Sequence, residues 1–318
     1  MKVIYKKLPS KRKSCIATVG VFDGVHLGHQ FILKKVILEA KKQKIPSLVI
    51  TFDIPPKKIL NRYSSTQKQS KDIFKGYITD FKQKAEILQL MGFDYVWFLK
   101  TGKSLLSLSA ENFIIYILRY FDLKKLIVGE DFRFGYQRRA DLETLKSLSV
   151  RYGFKLSVLK KIKNNTQVIS SSRVRKLIQG GKLKEAAKFL GRYFSLEGKV
   201  IKGEGIGFKL GFPTANVLIS DHIMPLCGVY SAYVIIGRKI FLGAVNIGVR
   251  PTLGNTEKSV IEAHLINFKE NILGKTIEII FLDRIRREQK FSSLAELQTA
   301  IKKDIDFITA KYSIPSLN

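Results

Sequence analysis

The sequence predicts an α/β protein in two parts: an N-terminal doubly wound parallel sheet, then a small antiparallel β-barrel with a C-terminal helix. Three observations predict it. Short apolar strands alternate with amphipathic, helix-length segments through the first part of the chain. Past Gly191 the pattern turns into short strands punctuated by Gly, Pro and Asn, and helical spacing returns only at Ser293–Tyr312. Finally, 318 residues exceed one ordinary core and set about two domains. The boundary is expected beside Gly191, giving domains 1–190 and 191–318.

The elements follow in order. Ser14–Phe22 is an apolar run that ends in a turn. His29–Gln43 places Ile32, Leu33, Val36 and Ile37 at helical spacing. Pro46–Phe52 reads as the next strand, followed by a polar, Pro-containing loop through Asn61–Asp72. Phe81–Gly92 is a helix stopped by glycine, and Asp94–Lys100 a strand. Ser109 is a good N-cap for the amphipathic segment that runs to Phe121. Lys124–Asp131 is a strand ending in a turn, Asp141–Gly153 a helix and Lys155–Lys161 a strand. Ser171–Gly181 and Leu183–Gly191 are short helices. Glu197–Gly203, Gly228–Gly237, Lys239–Gly248, Ser259–Phe268 and Lys275–Asp283 are the strands of the second part.

Composition narrows the function classes. Hydrophobic residues are 45% and charged residues 26%, the balance of a globular protein. No apolar run approaches the ~18 residues that span a bilayer. The basic start followed by apolar Ser14–Phe22 lacks a small-residue cleavage pattern and runs straight into Asp23, so it reads as a strand. Two cysteines, Cys15 and Cys227, make no disulfide framework and point to a reducing cytoplasm. Lys plus Arg is 56 against 26 Asp plus Glu, a net charge of +30. A nucleic-acid binder gathers basic residues with aromatics on one face. Lysine here is spread over nearly every segment, so no specific nucleic-acid partner and no membrane partner are expected.

The sharpest N-terminal feature is Gly20-Val21-Phe22-Asp23-Gly24-Val25-His26-Leu27-Gly28-His29, between a strand and a helix. His26 and His29 are three apart, so in a first helical turn they share a face beside free backbone N–H groups. Gly28 leaves room for close approach of a ligand. This is an anion site suited to a triphosphate. A zinc site would need a third ligand nearby, and none is present.

The segment resembles the signature of the HxGH nucleotidyltransferases, in the form seen in bifunctional bacterial riboflavin kinase/FAD synthetases. Val128–Gly135 and Ile169–Arg175 are similar to two further motifs of that family. The resemblance implies a Rossmann-like sheet that transfers the adenylyl group of ATP to flavin mononucleotide (FMN). It implies that His26, His29 and Arg173 are catalytic. It puts Gly20, Phe22, Asp23, Gly28, Ser171 and Ser172 at the ATP phosphates, and Asp131 and Phe132 at flavin or nucleotide. Adenylyl transfer requires little proton movement, so positioning and charge neutralisation would carry it.

The C-terminal signal is Gly203-Glu204-Gly205-Ile206-Gly207-Phe208-Lys209-Leu210-Gly211-Phe212-Pro213-Thr214-Ala215-Asn216. Its glycines form a loop whose N–H groups can cradle phosphate. Thr214 and Asn216 are oxygen donors on one face of an extended chain, suited to Mg²⁺. This stretch resembles the riboflavin kinase motif, as do Pro225–Tyr230, Asn246–Thr252, Glu262–Leu265 and Arg286–Phe291. The resemblance implies ATP binding by Gly203, Gly205, Gly207, Lys209, Gly211 and Pro213, and flavin or nucleotide binding by Arg286 and Glu288. Glu262 matches the family's catalytic base, which takes a proton from the ribityl 5′-hydroxyl as that oxygen attacks the γ-phosphate. Mg²⁺ is expected with ATP, and riboflavin and FMN as the other substrates. The chain departs from the family pattern at Pro55, which lacks the usual histidine, at Phe208 in place of a loop arginine, and at Leu273. A single-domain HxGH adenylyltransferase of the pantetheine-phosphate type would leave the second half without a purpose.

Overall fold

The structure is a computed structural model and describes residues 2–4, 10–63, 74, 76–164, 167–203, 205, 207, 210–251 and 257–315. Two compact units divide the chain, Met1–Ser171 and Ser172–Asn318.

The first unit runs β1 (Lys2–Ile4), β2 (Lys13–Val19), α1 (Leu27–Gln43), β3 (Ser47–Phe52), α2 (Pro56–Tyr63), α3 (Phe81–Leu90), β4 (Tyr95–Leu99), α4 (Lys103–Leu106), α5 (Ala110–Leu118), β5 (Phe121–Gly129), α6 (Leu142–Arg151) and β6 (Lys155–Leu159). A minimal hairpin follows, with arms β7 (Lys163–Asn164) and β8 (Gln167–Val168). The six strands β1 to β6 form one parallel sheet in the order β1-β4-β3-β2-β5-β6.

Strands buried on both faces carry a core on each side. Cys15, Ala17, Val19, Leu48, Ile50, Trp97 and Leu99 face α5 residues Phe113, Ile114 and Ile117. Their strand neighbours Ile16, Val49, Val96 and Phe98 face Leu33, Val36, Ile37 and Ala40 of α1 and Leu88 of α3. The alternation of successive residues between the two cores is the period of a strand. The strand order reverses between β2 and β5. In open sheets of this kind ligands bind at the carboxyl ends of the strands beside that reversal.

The second unit runs α7 (Ser171–Gln179), α8 (Leu183–Leu190), β9 (Ser195–Ile201), β10 (Thr214–Leu218), β11 (Gly228–Ile236), β12 (Lys239–Pro251), β13 (Glu257–Leu265), β14 (Thr276–Arg286) and α9 (Leu294–Lys311). Its six strands close into an antiparallel barrel in the order β10-β13-β12-β11-β14-β9. Helix α9 packs on β12, with Ile308 beside Leu242, Ala244 and Ile266. Its N-cap Ser293 accepts a hydrogen bond from Glu296 N.

The architecture is the predicted one, with additions. The barrel has six strands rather than the five read from sequence, because Thr214–Leu218 forms β10. Pro56–Tyr63 is a helix where a loop was expected, with Pro56 at the first helical position that proline favours. Helices α7 and α8 lie in the same compact unit as the barrel, and Lys184 of α8 pairs with Asp283 of β14 at 2.7 Å.

Candidate active sites

In the first unit, Gly20 stands at the carboxyl end of the central strand β2, and the chain turns sharply before α1. Phe22, Gly24 and Val25 have φ of 49°, 83° and 38°. His26 stands just outside the helix as its N-cap rather than inside the first turn, and its Nδ1 accepts from His29 N at 3.2 Å. The cap aligns the imidazoles face to face, 3.6 Å between centroids and 16° between planes. Phe22 meets His29 edge-on at 5.3 Å. Burial, and then the charges of His26 and Lys84, hold His29 well below the usual histidine range. It is therefore neutral at pH 7. Its Nδ1 is buried with no hydrogen-bond partner among the described residues. A Cβ on Gly28 would come within 3.1 Å of the His26 ring, so glycine keeps that side open.

Asp23 is buried, and its carboxylate accepts from Ile78 N at 3.0 Å and Thr79 N at 3.3 Å. Ser171 Oγ donates to Asp23 O at 2.9 Å. These two residues build the turn. At the end of the neighbouring β5, Asp131 is exposed and pairs with Lys161 at 3.1 Å, while Phe132 stacks on Phe134 at 5.4 Å. Both sheet-end motifs thus sit at the strand-order reversal. Ser172 and Arg173 lie at the start of α7, in the second compact unit. Sequence reasoning passed over Lys84, which is 3% exposed and donates to Val21 O at 2.8 Å.

In the second unit, a cavity of about 370 Å³ lies between the barrel wall and α9, whose Leu297, Ile301 and Asp304 line it. A polar row crosses three adjacent strands at its wall. Asn216 of β10 pairs with Glu262 of β13, which pairs with Asn246 of β12, and all three line the cavity. One step along, Thr214 pairs with His264. His264 Nδ1 lies 2.9 Å from Pro213 O, and its ring meets Phe212 edge-on at 5.7 Å, which fixes the turn before β10. A Cβ on Gly203 would lie 1.9 Å from Asn216 Nδ2, so only glycine lets that backbone approach the amide. Gly205 and Gly207 line the cavity, and Gly211 has φ of 79°. Lys209 and Phe208 lie outside the described residues. The sequence motifs assign no role to Asn246 or His264, whose register beside Glu262 is visible only once the strands are paired.

Glu288, Gln289 and Phe291 also line the cavity. Arg286 also lines the cavity, but its guanidinium grips Asp304 of α9: Nε to Oδ1 is 3.0 Å and Nη2 to Oδ2 is 2.9 Å. Arg286 therefore ties the C-terminal helix to the barrel. Gln298 of α9 donates to Leu210 O at 3.1 Å, a second tie, to the glycine-rich segment. No cluster of three His, Cys, Asp or Glu able to hold a metal ion occurs among the described residues.

A parallel sheet with a glycine-rich turn at its carboxyl end and an antiparallel barrel with a polar cavity make up a two-part α/β protein. Comparison with known proteins specifies its family. Residues 8–173 match the FAD synthetase family and residues 190–312 match the riboflavin kinase family. The chain is 36% identical over 300 residues to the bifunctional riboflavin kinase/FMN adenylyltransferase of Buchnera aphidicola subsp. Acyrthosiphon pisum, covering 93% of each chain. It is 32% identical over 303 residues to that of Escherichia coli K12, covering 95% of this chain and 94% of the relative. A crystal structure of a macrolide-efflux protein from Streptococcus pneumoniae superposes with a TM-score of 0.85 at 28% identity, covering 98% of this chain and 99% of that one. That efflux name belongs to the pneumococcal protein; no helix among the described residues here is long and apolar enough to cross a membrane. The chain belongs to the bifunctional riboflavin kinase/FMN adenylyltransferase family. Its C-terminal part phosphorylates riboflavin and its N-terminal part adenylylates FMN, both with ATP.

Proposed function

We propose that the kinase step runs in the cavity between the barrel wall and α9 with Glu262 as base, and the adenylyl transfer at the His26–His29 pair. The polar row Asn216–Glu262–Asn246 at the wall of a cavity is the observation that carries this reading. A carboxylate flanked by two amides is held in place and faces the space a substrate would fill. There Glu262 accepts the 5′-hydroxyl proton of riboflavin as that oxygen attacks the γ-phosphorus of ATP, and ADP leaves.

Thr214 and Asn216 supply only hard oxygen donors, both at the same cavity as Glu262, and so fit Mg²⁺. Bound there, Mg²⁺ would neutralise phosphate oxygens of ATP. Backbone N–H groups of Gly203, Gly205 and Gly207 cradle those phosphates, with Lys209, Gly211 and Pro213 assigned to ATP by the resemblance. Glu288 and Arg286 bound the flavin side.

In the first unit, a phosphate oxygen of FMN attacks the α-phosphorus of ATP and pyrophosphate leaves. Neutral His29 can donate an N–H to the charge that develops, and the N-terminus of α1 supports it. Gly20, Phe22, Asp23 and Gly28 shape the phosphate turn, and Ser171 fastens it. Asp131 and Phe132 stand at the neighbouring strand end to meet nucleotide or flavin. For Ser172 and Arg173 the proposal rests on the resemblance alone. We set the functional boundary at 190/191, within one residue of the start of the riboflavin kinase match at residue 190. We place the protein in the cytoplasm, in keeping with two free cysteines.

Incubation of the full chain with riboflavin, ATP and Mg²⁺, with flavins resolved by chromatography, tests this. FMN and ADP appear first, and FAD and pyrophosphate follow. FAD without an FMN phase, or no flavin product, contradicts it.

A further inference from the structure

The turn that carries the two histidines is strained. Phe22, Gly24 and Val25 all have positive φ, and a β-branched residue such as Val25 rarely adopts 38°. Such a turn persists only where its surroundings over-determine it. Here much of that restraint comes from one short segment, residues 78–84. The Asp23 carboxylate takes the Ile78 and Thr79 amides, and Thr79 Oγ1 accepts from Gly24 N at 2.9 Å. Lys84 on α3 then reaches back under the turn. Its Nζ donates to Val21 O at 2.8 Å and lies 3.5 Å from both Thr51 Oγ1 and Phe52 O at the end of β3. Three ammonium protons thus meet three acceptors, and Thr51 Oγ1 donates to the same Val21 carbonyl at 3.2 Å.

A lysine this buried is rare unless it is paired. We propose that Lys84 is a positioning residue for adenylyl transfer: by pinning the Val21 carbonyl to the end of β3, it fixes the turn that presents His26 and His29, without itself touching substrate. This rests on the assignment of adenylyl transfer to those histidines.

The electrostatics agree with the geometry. Burial pushes the Lys84 ammonium down to about 8, against the pull of Asp23, Asp53 and Asp80. The groups that face it are those three carboxylates, from the turn, the end of β3 and the cap of α3, together with His29 of α1. As pH rises through about 8 the ammonium loses its charge, and a neutral amine keeps two protons for three acceptors. FMN adenylylation by the parent protein then acquires an alkaline limb near that pH.

The test uses the full chain carrying Lys84→Met, assayed from pH 6.5 to 9.5. Riboflavin phosphorylation in the same preparation and a thermal melt report folding. A displacement of about 1 Å at a reacting group costs about 10²-fold. The expected result is a fall of about that size in kcat for FMN adenylylation at pH 7.5, with KM for FMN and ATP within about threefold, and loss of the alkaline limb. A purely structural lysine predicts a lower melting temperature with kcat and the limb unchanged; that result overturns the proposal. Should the methionine variant not fold, Lys84→Gln is judged by the same criteria. If neither folds, an absent limb in the parent protein overturns it and a limb near pH 8 supports it. His29→Asn separates the two levels: if it makes FAD normally, the site assignment has failed; if it is inactive while Lys84→Met is not, only the role of Lys84 has.

Discussion

Asp304→Asn should loosen the C-terminal helix and the riboflavin pocket together. In the parent, Asp304 is buried and takes Arg286 in a bidentate grip, with the Arg286 side chain 21% exposed. The substitution keeps the shape of the side chain but removes its charge and turns an NH₂ group toward the guanidinium. Removing one partner of a fully buried ion pair costs about 3–5 kcal/mol. Water reaches Arg286 in part, and the asparagine oxygen keeps one bond, so about 2–3 kcal/mol is expected. For a unit of this size that corresponds to a fall of about 5–10 °C in its melting temperature. Arg286 also lies 5.6 Å over the Phe291 ring at the cavity wall, so its release carries to the site. The KM for riboflavin should rise by about tenfold, equivalent to ~1.4 kcal/mol. Calorimetry with and without Arg286→Gln, arranged as a double-mutant cycle, measures the coupling. A shift below about 2 °C, or a coupling below ~0.5 kcal/mol, would refute the idea that this pair holds α9 to the barrel.

Two further outcomes are expected. His29→Asn should slow FMN adenylylation by about 10²–10³-fold, the usual loss for a preorganised donor, and leave riboflavin phosphorylation intact; steady-state rates with each flavin supplied separately check it. Gly203→Ala drives a methyl group into the Asn216 amide, so kinase kcat should drop by at least about tenfold while FAD formation from supplied FMN is unchanged; equal loss of both would point to misfolding instead.

The two-part fold was legible because its periods are clean. Buried strands such as Ser47–Phe52 are continuous apolar runs, and α1 carries its core residues at helical spacing. The glycine-rich turn between a strand and a helix gave the histidine pair away. What stayed hidden depends on pairing across the chain. Strand β10 begins right after Gly211-Phe212-Pro213, which reads as a turn, and is five residues long. Helix α2 is lysine-rich and starts at a proline. Lys84 stands two residues from exposed Lys82 in a polar helix, and nothing local separates a lysine buried under a loop from one in water. Asp304 sits in the run Lys302-Lys303-Asp304-Ile305-Asp306, where its partner, eighteen residues earlier, cannot be inferred. The resemblance implies a flavin or nucleotide contact at Arg286; that its guanidinium also holds Asp304 is visible only in the fold.

The central claim is that two separate centres perform the two steps, with Glu262 driving the first. Glu262→Gln keeps size and strand pairing while removing the basic oxygen, and general-base removal typically costs ~10²–10⁴ in rate. Purified Glu262→Gln protein is given ATP and Mg²⁺ with either riboflavin or FMN, and the flavins are resolved by chromatography. The account predicts almost no FMN from riboflavin and FAD formation from supplied FMN at the parent rate. Riboflavin phosphorylation near the parent rate would contradict it, because only a strand glutamate with no role in the chemistry would be replaced almost silently.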